Sequence, residues 1–240
     1  METQVEVNRT HSPNGTSYSF QSETSESSPF GFDPVPRWKR VFDIVAILLS
    51  APLWLTGMIC ISLWIKLVSP GPIIFRQERV GLHGRKFMML KFRSMKVNAE
   101  TDQHEDHFDR LVDSNRPMKK LDAAGDRRMI VSGWILRATG LDELPQLFNV
   151  LSGEMSLVGP RPCTPRELSK FQKWQLERFN ACPGLSGHWQ VNGKNRTTFS
   201  RMIELDIFYA RNVSLRLDLV ILLKTIPALF AQVSESQSVR

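Results

Sequence analysis

The feature that most constrains this chain is one long apolar run. Residues 44–65 contain no charged side chain. At about 1.5 Å per residue, a helix over this run would cover roughly 33 Å, which is about one hydrocarbon core. The run therefore predicts a membrane helix, with a buried core helix as the alternative.

The flanks and the interior of the run favour a bent path. Basic residues lie on both sides, so they give no clear positive-inside asymmetry. Several interior residues can break or bend a helix. We therefore expect a re-entrant hairpin that returns to the face it entered, rather than a straight span. The flanking residues are Arg37, Trp38, Lys39, Arg40, Trp64 and Lys66, and the interior ones are Ser50, Pro52, Thr56 and Gly57.

Composition bounds the rest of the chain. Residues 1–36 are polar and lack apolar periodicity, which predicts a disordered tail. We assign residues 37–68 to the membrane helix, 69–232 to one folded domain and 233–240 to a flexible C-terminus. A net charge of +7 and a pI near 9.6 favour an anionic partner, such as nucleic acid, an acidic membrane surface or a phosphorylated substrate. The three cysteines lack CxxC spacing, which argues against a disulfide framework or a structural metal.

The folded domain is predicted to be α+β and mostly helical, with one small β-hairpin. Residues 73–75 and 86–92 are predicted strands on either side of a turn at 81–84. Amphipathic helices are predicted at 130–151, interrupted by Gly140, and at 165–180.

Two further segments are harder to place. The charged stretch 99–126 predicts an exposed helix and loop. Residues 215–230 are apolar but too charged and too short to span a membrane, so they either pack on the core or lie in the interface.

Two adjacent carboxylates stand out in an otherwise apolar segment. Asp142 and Glu143 follow Arg137 by five and six positions. Neighbouring carboxylates repel each other and are costly to bury unless a cation makes the site useful. The alternative is a helix N-terminus, where acidic residues favour the helix dipole.

A basic residue in a rigid setting follows this pair. Arg161 stands between two prolines, and a fixed guanidinium suits phosphate. At this point the sequence resembles the bacterial sugar transferases, specifically the small monotopic phosphoglycosyl transferases, or undecaprenyl-phosphate sugar phosphotransferases. The resemblance runs from position 39 to about 228. It rests on KRVFD (39–43), SPGPIIFRQERVG (69–81), KFRSM (91–95), LDELPQLFNVL (141–151), VGPRP (158–162) and PGLSGHWQVNG (183–193).

The resemblance implies a re-entrant membrane helix joined to a compact cytoplasmic catalytic domain with interfacial amphipathic helices. It implies transfer of a sugar-1-phosphate from a UDP-sugar to polyprenol (undecaprenyl) phosphate at the bacterial inner membrane, with release of UMP. This reaction would be the first membrane step of exopolysaccharide or other glycoconjugate assembly.

The resemblance also implies roles for individual residues. Asp142 matches the nucleophile, which forms a covalent phosphosugar intermediate and is the expected ligand of Mg²⁺, while Glu143 matches its partner. The basic positions near the phosphates match Arg137, Arg161 and Lys91. Gln190 and Asn192 are candidates for hydrogen bonds to the nucleotide or the sugar, with capping and turn roles around Gly193 as the alternative.

The membrane helix departs from the family pattern. Members usually break this helix with a Ser-Pro pair, which would fall near Leu55 and Thr56, whereas the proline here is Pro52. We expect the break about one turn earlier, or at Thr56 and Gly57.

Two other functions are alternatives to the enzyme. The basic and aromatic stretch 171–178 would suit a membrane-anchored nucleic-acid binder, and a scaffold without catalysis would suit a decayed site. The intact motifs favour an enzyme that binds no nucleic acid, with a hexose such as galactose or glucose as the expected sugar. Homo-oligomerisation stays open.

Overall fold

The computed structural model describes residues 34–97, 110, 117 and 128–238. Almost all of the predicted N-terminal tail lies outside these residues. So does the charged stretch 99–126, apart from two isolated positions.

The apolar run is bent. Helix α1 (Arg37–Leu49) and helix α2 (Ala51–Val68) are separated by Ser50, whose backbone has φ −88° and ψ 0°. Pro52 lies in the first turn of α2, where its missing N–H breaks no helical hydrogen bond. The indole Nε1 of Trp54 donates to the carbonyl of Ile47 across the bend, at 3.0 Å. The break therefore lies about one turn before the family position, and α2 continues unbroken through Thr56 and Gly57.

A β-hairpin follows, as predicted. Strand β1 (Ile74–Val80) pairs antiparallel with strand β2 (Lys86–Phe92), and β1 is longer than the sequence indicated. One face of β2 carries the buried side chains of Phe87 and Met89, so this face packs on the core. Lys91 lies on the same face two residues further on, because side chains alternate along a strand.

The acidic segment connects two short helices. Helix α3 (Gly133–Thr139) ends at Gly140, which has φ +73°. A 3₁₀ turn (Leu141–Glu143) and helix α4 (Gln146–Ser152) follow. Next come strand β3 (Ser156–Val158) and strand β4 (Gly184–Ser186), which pair in parallel and were not predicted from the sequence.

The single helix predicted over 165–180 is wrong. The chain forms helix α5 (Pro165–Leu168) and a separate 3₁₀ helix (Lys173–Asn180). Each of these has its own reciprocal cap, from Thr164 with Glu167 and from Gln172 with Gln175. Two starts so close together cannot belong to one continuous helix.

The C-terminal part is helical. Helix α6 (His188–Val191), a 3₁₀ turn (Lys194–Arg196) and helix α7 (Phe199–Arg211) precede the last helix, α8 (Leu215–Ser238). The expectation that this last segment is too short to span a membrane is wrong, because the helix continues well past residue 230. It also enters the segment 233–240 that was assigned to a flexible end.

Within the described residues, α2 and the part Leu215–Ser234 of α8 are long and apolar enough to cross a membrane by length and composition. Only 11% of each is buried, which argues against the core-helix alternative for α2.

Both arms of the bent segment nevertheless contact the same domain. Ile47 of α1 packs in a cluster with Phe87 and Met89, and Ile65 of α2 packs with Phe92 and Leu136. The domain as a whole is mostly helical with small sheets, which agrees with the predicted α+β class. The bend places both arms of the apolar segment beside the elements that carry the charged residues described next.

Candidate active site

The paired carboxylates lie in the connection between α3 and α4. Gly140 ends α3 in a left-handed conformation, and Pro145 immediately precedes α4, so the chain forms only a short 3₁₀ turn between them. Asp142 is buried at 8% exposure, whereas Glu143 keeps 34% of its side chain exposed. The two carboxylates therefore differ in access although they are adjacent in sequence.

Helix α2 packs directly on this turn. Leu144, the residue after the carboxylates, joins the same apolar clusters as Met58 of α2. A Cβ at Gly57 of α2 would lie 3.8 Å from the side chain of Leu144, which is ordinary contact. The acidic turn therefore sits against the apolar segment that the sequence predicts to enter a membrane.

The hairpin supplies a cation to this turn. The Nζ of Lys91 on β2 donates to Oε1 of Glu143 at 3.1 Å. The side chains of Lys91 and Glu143 are 26% and 34% exposed, so the ion pair is open to solvent on one side. The structure thus brings two of the predicted site residues together across 52 positions of sequence.

Arg161 is held by a carboxylate. Its two terminal nitrogens donate to the two oxygens of Glu167 at 2.9 and 3.1 Å. Glu167 also accepts from the backbone N–H of Thr164 as part of the α5 cap, at 3.1 Å. Burial raises the pKa of Glu167, but the guanidiniums of Arg161 and Arg79 outweigh this effect and hold the pKa below its ordinary value. Arg161 is therefore a fixed guanidinium, with 28% of its side chain exposed.

Sequence reasoning assigned no role to Arg79, which links these two groups of charges. Its Nη1 donates to the carbonyl of Pro162 at 3.2 Å and lies 3.9 Å from Glu167. Burial, then the charge of Arg161, lower the pKa of Arg79 to about 10, while Glu167 and Glu143 act in the opposite direction. The predicted strand ended at residue 75, so the sequence did not place Arg79 opposite the buried Phe87 on the inward face of the hairpin.

A second buried ion pair supports the Arg161 loop from behind. Arg178 and Asp206 are 1% and 0% exposed and form a short hydrogen bond. Arg178 also donates to the backbone carbonyl of Arg161 at 2.7 Å. Burial raises the pKa of Asp206 to about 6, against the opposing charge of Arg178. Among the described residues, this cluster therefore contains three arginines and two carboxylates.

The remaining predicted residues lie in or at the end of helices α3 and α6. Arg137 is in the last turn of α3, and its backbone carbonyl accepts from Nε2 of Gln232 on α8 at 2.9 Å. Asn192 caps the end of α6 and donates to the carbonyl of His188 at 2.8 Å, which matches the capping alternative. Gln190 lies within α6 and is half-buried.

The acidic turn offers two carboxylates as oxygen donors. Mg²⁺ is commonly bound through one or two carboxylates, with substrate phosphates and water completing its shell. The oxygens of Asp142 and Glu143 fit that pattern. Among the described residues, no group of three or more His, Cys, Asp or Glu could hold a metal.

The acidic turn and its partner Lys91 therefore lie against the apolar helix α2, and Arg161 is fixed in a cluster that Arg79 connects to the hairpin. The family model described as "Bacterial sugar transferase" matches residues 35–232. This chain belongs to the bacterial sugar transferase family. The family resemblance that the sequence motifs indicated is therefore confirmed.

Curated relatives agree with the family match. The chain is 38% identical over 198 residues to "Exopolysaccharide production protein ExoY" of Rhizobium meliloti, covering 79% of this chain and 84% of the relative. It is 39% identical over 188 residues to "Undecaprenyl-phosphate galactose phosphotransferase" of Salmonella typhimurium, covering 78% of this chain and 39% of the relative. It is 39% identical over 190 residues to "UDP-glucose:undecaprenyl-phosphate glucose-1-phosphate transferase" of Xanthomonas campestris, covering 76% of this chain and 36% of the relative. The chain thus spans most of the first relative and well under half of the other two.

Proposed function

We propose that this chain is a phosphoglycosyl transferase that moves a sugar-1-phosphate from a UDP-sugar to undecaprenyl phosphate and releases UMP. The observation that carries the proposal is the acidic turn, with Asp142 buried, Glu143 paired to Lys91, and the apolar helix α2 packed against it. Such a turn can place its charged groups against a phosphate ester while the apolar helix beside it contacts a lipid. The names of the relatives describe this class of reaction.

The chemistry assigned to Asp142 is nucleophilic. An oxygen of its carboxylate attacks the phosphorus that bears the sugar, and the bond from that phosphorus to the bridging oxygen breaks. UMP leaves with the electron pair of that bond. An oxygen of the polyprenyl phosphate then attacks the same phosphorus and releases the carboxylate, so one difficult transfer between two anions becomes two simpler steps.

The surrounding charges reduce the repulsion between these anions. Lys91 neutralises part of the charge beside Asp142 through its contact with Glu143. Arg161, fixed by Glu167, presents a guanidinium for a phosphate oxygen. We assign Arg137 to the same task. Mg²⁺, held by Asp142, would supply further positive charge to the diphosphate when it is bound.

The same proposal places the domain on the cytoplasmic face of the inner membrane. The bend at Ser50 and the contacts of both α1 and α2 with one domain favour a re-entrant path over a straight span. Near the bend, Leu48, Leu49 and Leu53 are 61%, 80% and 80% exposed, which suits a tip in lipid. A cysteine placed at position 20 should be labelled only from the cytoplasmic side, and labelling from outside would show a straight span.

The expected donor sugar is a hexose. Relatives are named for galactose and for glucose, and one is named for exopolysaccharide production. We therefore place the reaction at the first membrane step of exopolysaccharide assembly.

The test is UMP release by the purified protein in detergent, with a panel of UDP-sugars, undecaprenyl phosphate and Mg²⁺. Asp142→Asn should abolish release, and Glu143→Gln should impair it severely. Glu78→Gln is the matched control, because among the described residues Glu78 forms its ion pair with the exposed Lys86 on the outer face of the hairpin. Robust turnover by Asp142→Asn would remove the nucleophile from the proposal.

A further inference from the structure

A groove lies where α2 ends and the hairpin begins. It is open to solvent, has a volume of about 620 Å³ and is lined mostly by apolar surface. The residues that matter to its chemistry are Lys66, Ile73, Ile74, Phe75, Arg76 and Arg93. Apolar and cationic side chains therefore share one concave surface.

The charge of the groove is entirely positive. No acidic residue lines it. Lys66 and Arg76 are exposed, and neither forms an ion pair with a carboxylate among the described residues. Arg93 is 5% exposed and donates to the carbonyls of Pro70 and Ser69 at 2.7 and 2.9 Å, so it fixes the turn that forms the wall. Charge complementarity calls for an anionic group here.

The apolar surface of the groove continues along α2. Lys66 lies in the last turn of α2, and Leu63 lies three residues earlier on the same side of the helix. Leu63 and Leu67 are 61% and 81% exposed. A ligand that satisfies both parts of this surface has an anionic head and a long apolar chain.

A single cross-strand pair connects the groove to the acidic turn. Phe75, which lines the groove, is directly opposite Lys91 in the hairpin register. Side chains at opposed positions of an antiparallel pair lie on the same face, about 5 Å apart at Cβ. Lys91 in turn contacts Glu143 at 3.1 Å. The Phe75 wall of the groove therefore adjoins the residue pair that the reaction uses, whereas Arg76, the next residue, projects from the opposite face of the same strand.

We propose that this groove receives the lipid acceptor, with the phosphate of undecaprenyl phosphate among Lys66, Arg76 and Arg93 and its prenyl chain lying along α2. This assignment rests on the proposed function. It divides the site into two halves, since the donor diphosphate faces Arg161 and the acceptor enters from the α2 side.

The kinetic test uses charge reversal in the full chain. Lys66→Glu combined with Arg76→Glu should raise the KM for undecaprenyl phosphate about tenfold, because two exposed charge contacts are lost, and should leave the KM for the UDP-sugar within about twofold. The control combines Arg85→Glu with Lys173→Glu, two exposed cations outside the groove, and should change neither KM. An equal change in both KM values, or no change, would overturn the assignment.

A binding test separates this inference from the proposed function. A photoreactive undecaprenyl phosphate analogue should cross-link to residues 63–76, and undecaprenyl phosphate should compete while phosphatidylglycerol should not. Equal competition by phosphatidylglycerol would identify a general anionic-lipid surface and overturn the acceptor assignment, as would cross-links confined to other segments. If the unmodified protein released no UMP from any UDP-sugar, the proposed function would fail, while the cross-linking result would still decide what the groove binds.

Discussion

Replacing Lys39 by methionine should destabilise the whole domain, because this lysine is buried and ties α1 to the C-terminal helices. Lys39 is 2% exposed, and its Nζ lies 2.6 Å from Oδ2 of Asp218 on α8 and 2.9 Å from the hydroxyl of Tyr209 on α7. The same hydroxyl lies 2.7 Å from Oδ1 of Asp218 and 3.0 Å from the carbonyl of Val158. The buried ammonium of Lys39 thus contacts two residues that lie 170 and 179 positions further along the chain.

The expected magnitude follows from what the substitution leaves behind. Lys39→Met leaves the carboxylate of Asp218 at 0% exposure without its cation. Removing one partner of a buried ion pair costs about 3–5 kcal/mol. For a chain of this size, that loss lowers Tm on the order of 10 °C.

The assay is thermal unfolding in detergent, followed by tryptophan fluorescence. Arg37→Met is the matched control, because Arg37 is exposed in the same helix, and it should shift Tm by less than about 2 °C. The double variant Lys39→Met with Asp218→Leu should recover most of the loss, since Tyr209 can still donate to Val158. A Tm for Lys39→Met equal to that of the Arg37 control would refute this reasoning.

Three further predictions test the site and its support. Gly159→Ala should strongly destabilise the protein, because its Cβ would lie 2.0 Å from the carbonyl oxygen of Cys182, whereas Gly57→Ala should be tolerated in the same melting assay. Arg161→Ala should raise the KM for the UDP-sugar about tenfold or more through loss of a charge-assisted hydrogen bond, and unchanged KM and kcat would remove Arg161 from the site. Because the folded-state pKa of Glu167 is lowered, its contribution to stability is complete above the ordinary value of 4.5 and is lost as pH falls through the folded-state pKa. Below about pH 4.5, the Tm of Glu167→Gln should therefore decrease less steeply with falling pH than the Tm of the unmodified protein. An equally steep decrease in both proteins would contradict this assignment.

Local sequence signals predicted the parts of the fold that depend on neighbouring residues. The hairpin, the interruption at Gly140 and the proline-linked bend all follow from backbone preferences of a few adjacent residues. The exact bend position follows from Pro52, which is tolerated in the first turn of α2 and therefore places the break before it.

The parts that were missed depend on distant partners or on competing caps. Two reciprocal caps divide the segment 165–180, although its apolar spacing suits one helix. The length of α8 was underestimated because the residues after 230 are mostly polar and the apolar pattern ends there, although the helix continues. The parallel pairing of Val158 with Ser186 joins segments that no local pattern connects.

The candidate site, too, could be predicted from the sequence only in part. Asp142 and Glu143 were visible as a costly carboxylate pair, but the exposure that distinguishes them comes from packing. The link from Arg79 to Glu167 crosses the fold, so sequence alone identified Arg161 without the carboxylate that fixes it.

The central claim is that Asp142 carries the phosphosugar during transfer. The most direct measurement is peptide mass spectrometry of the protein after incubation with its UDP-sugar and Mg²⁺ in the absence of undecaprenyl phosphate. The mechanism predicts a hexose-phosphate adduct on the peptide that contains Asp142, which disappears when undecaprenyl phosphate is added. An adduct on a different residue, or full turnover with no adduct under rapid quenching, would contradict it.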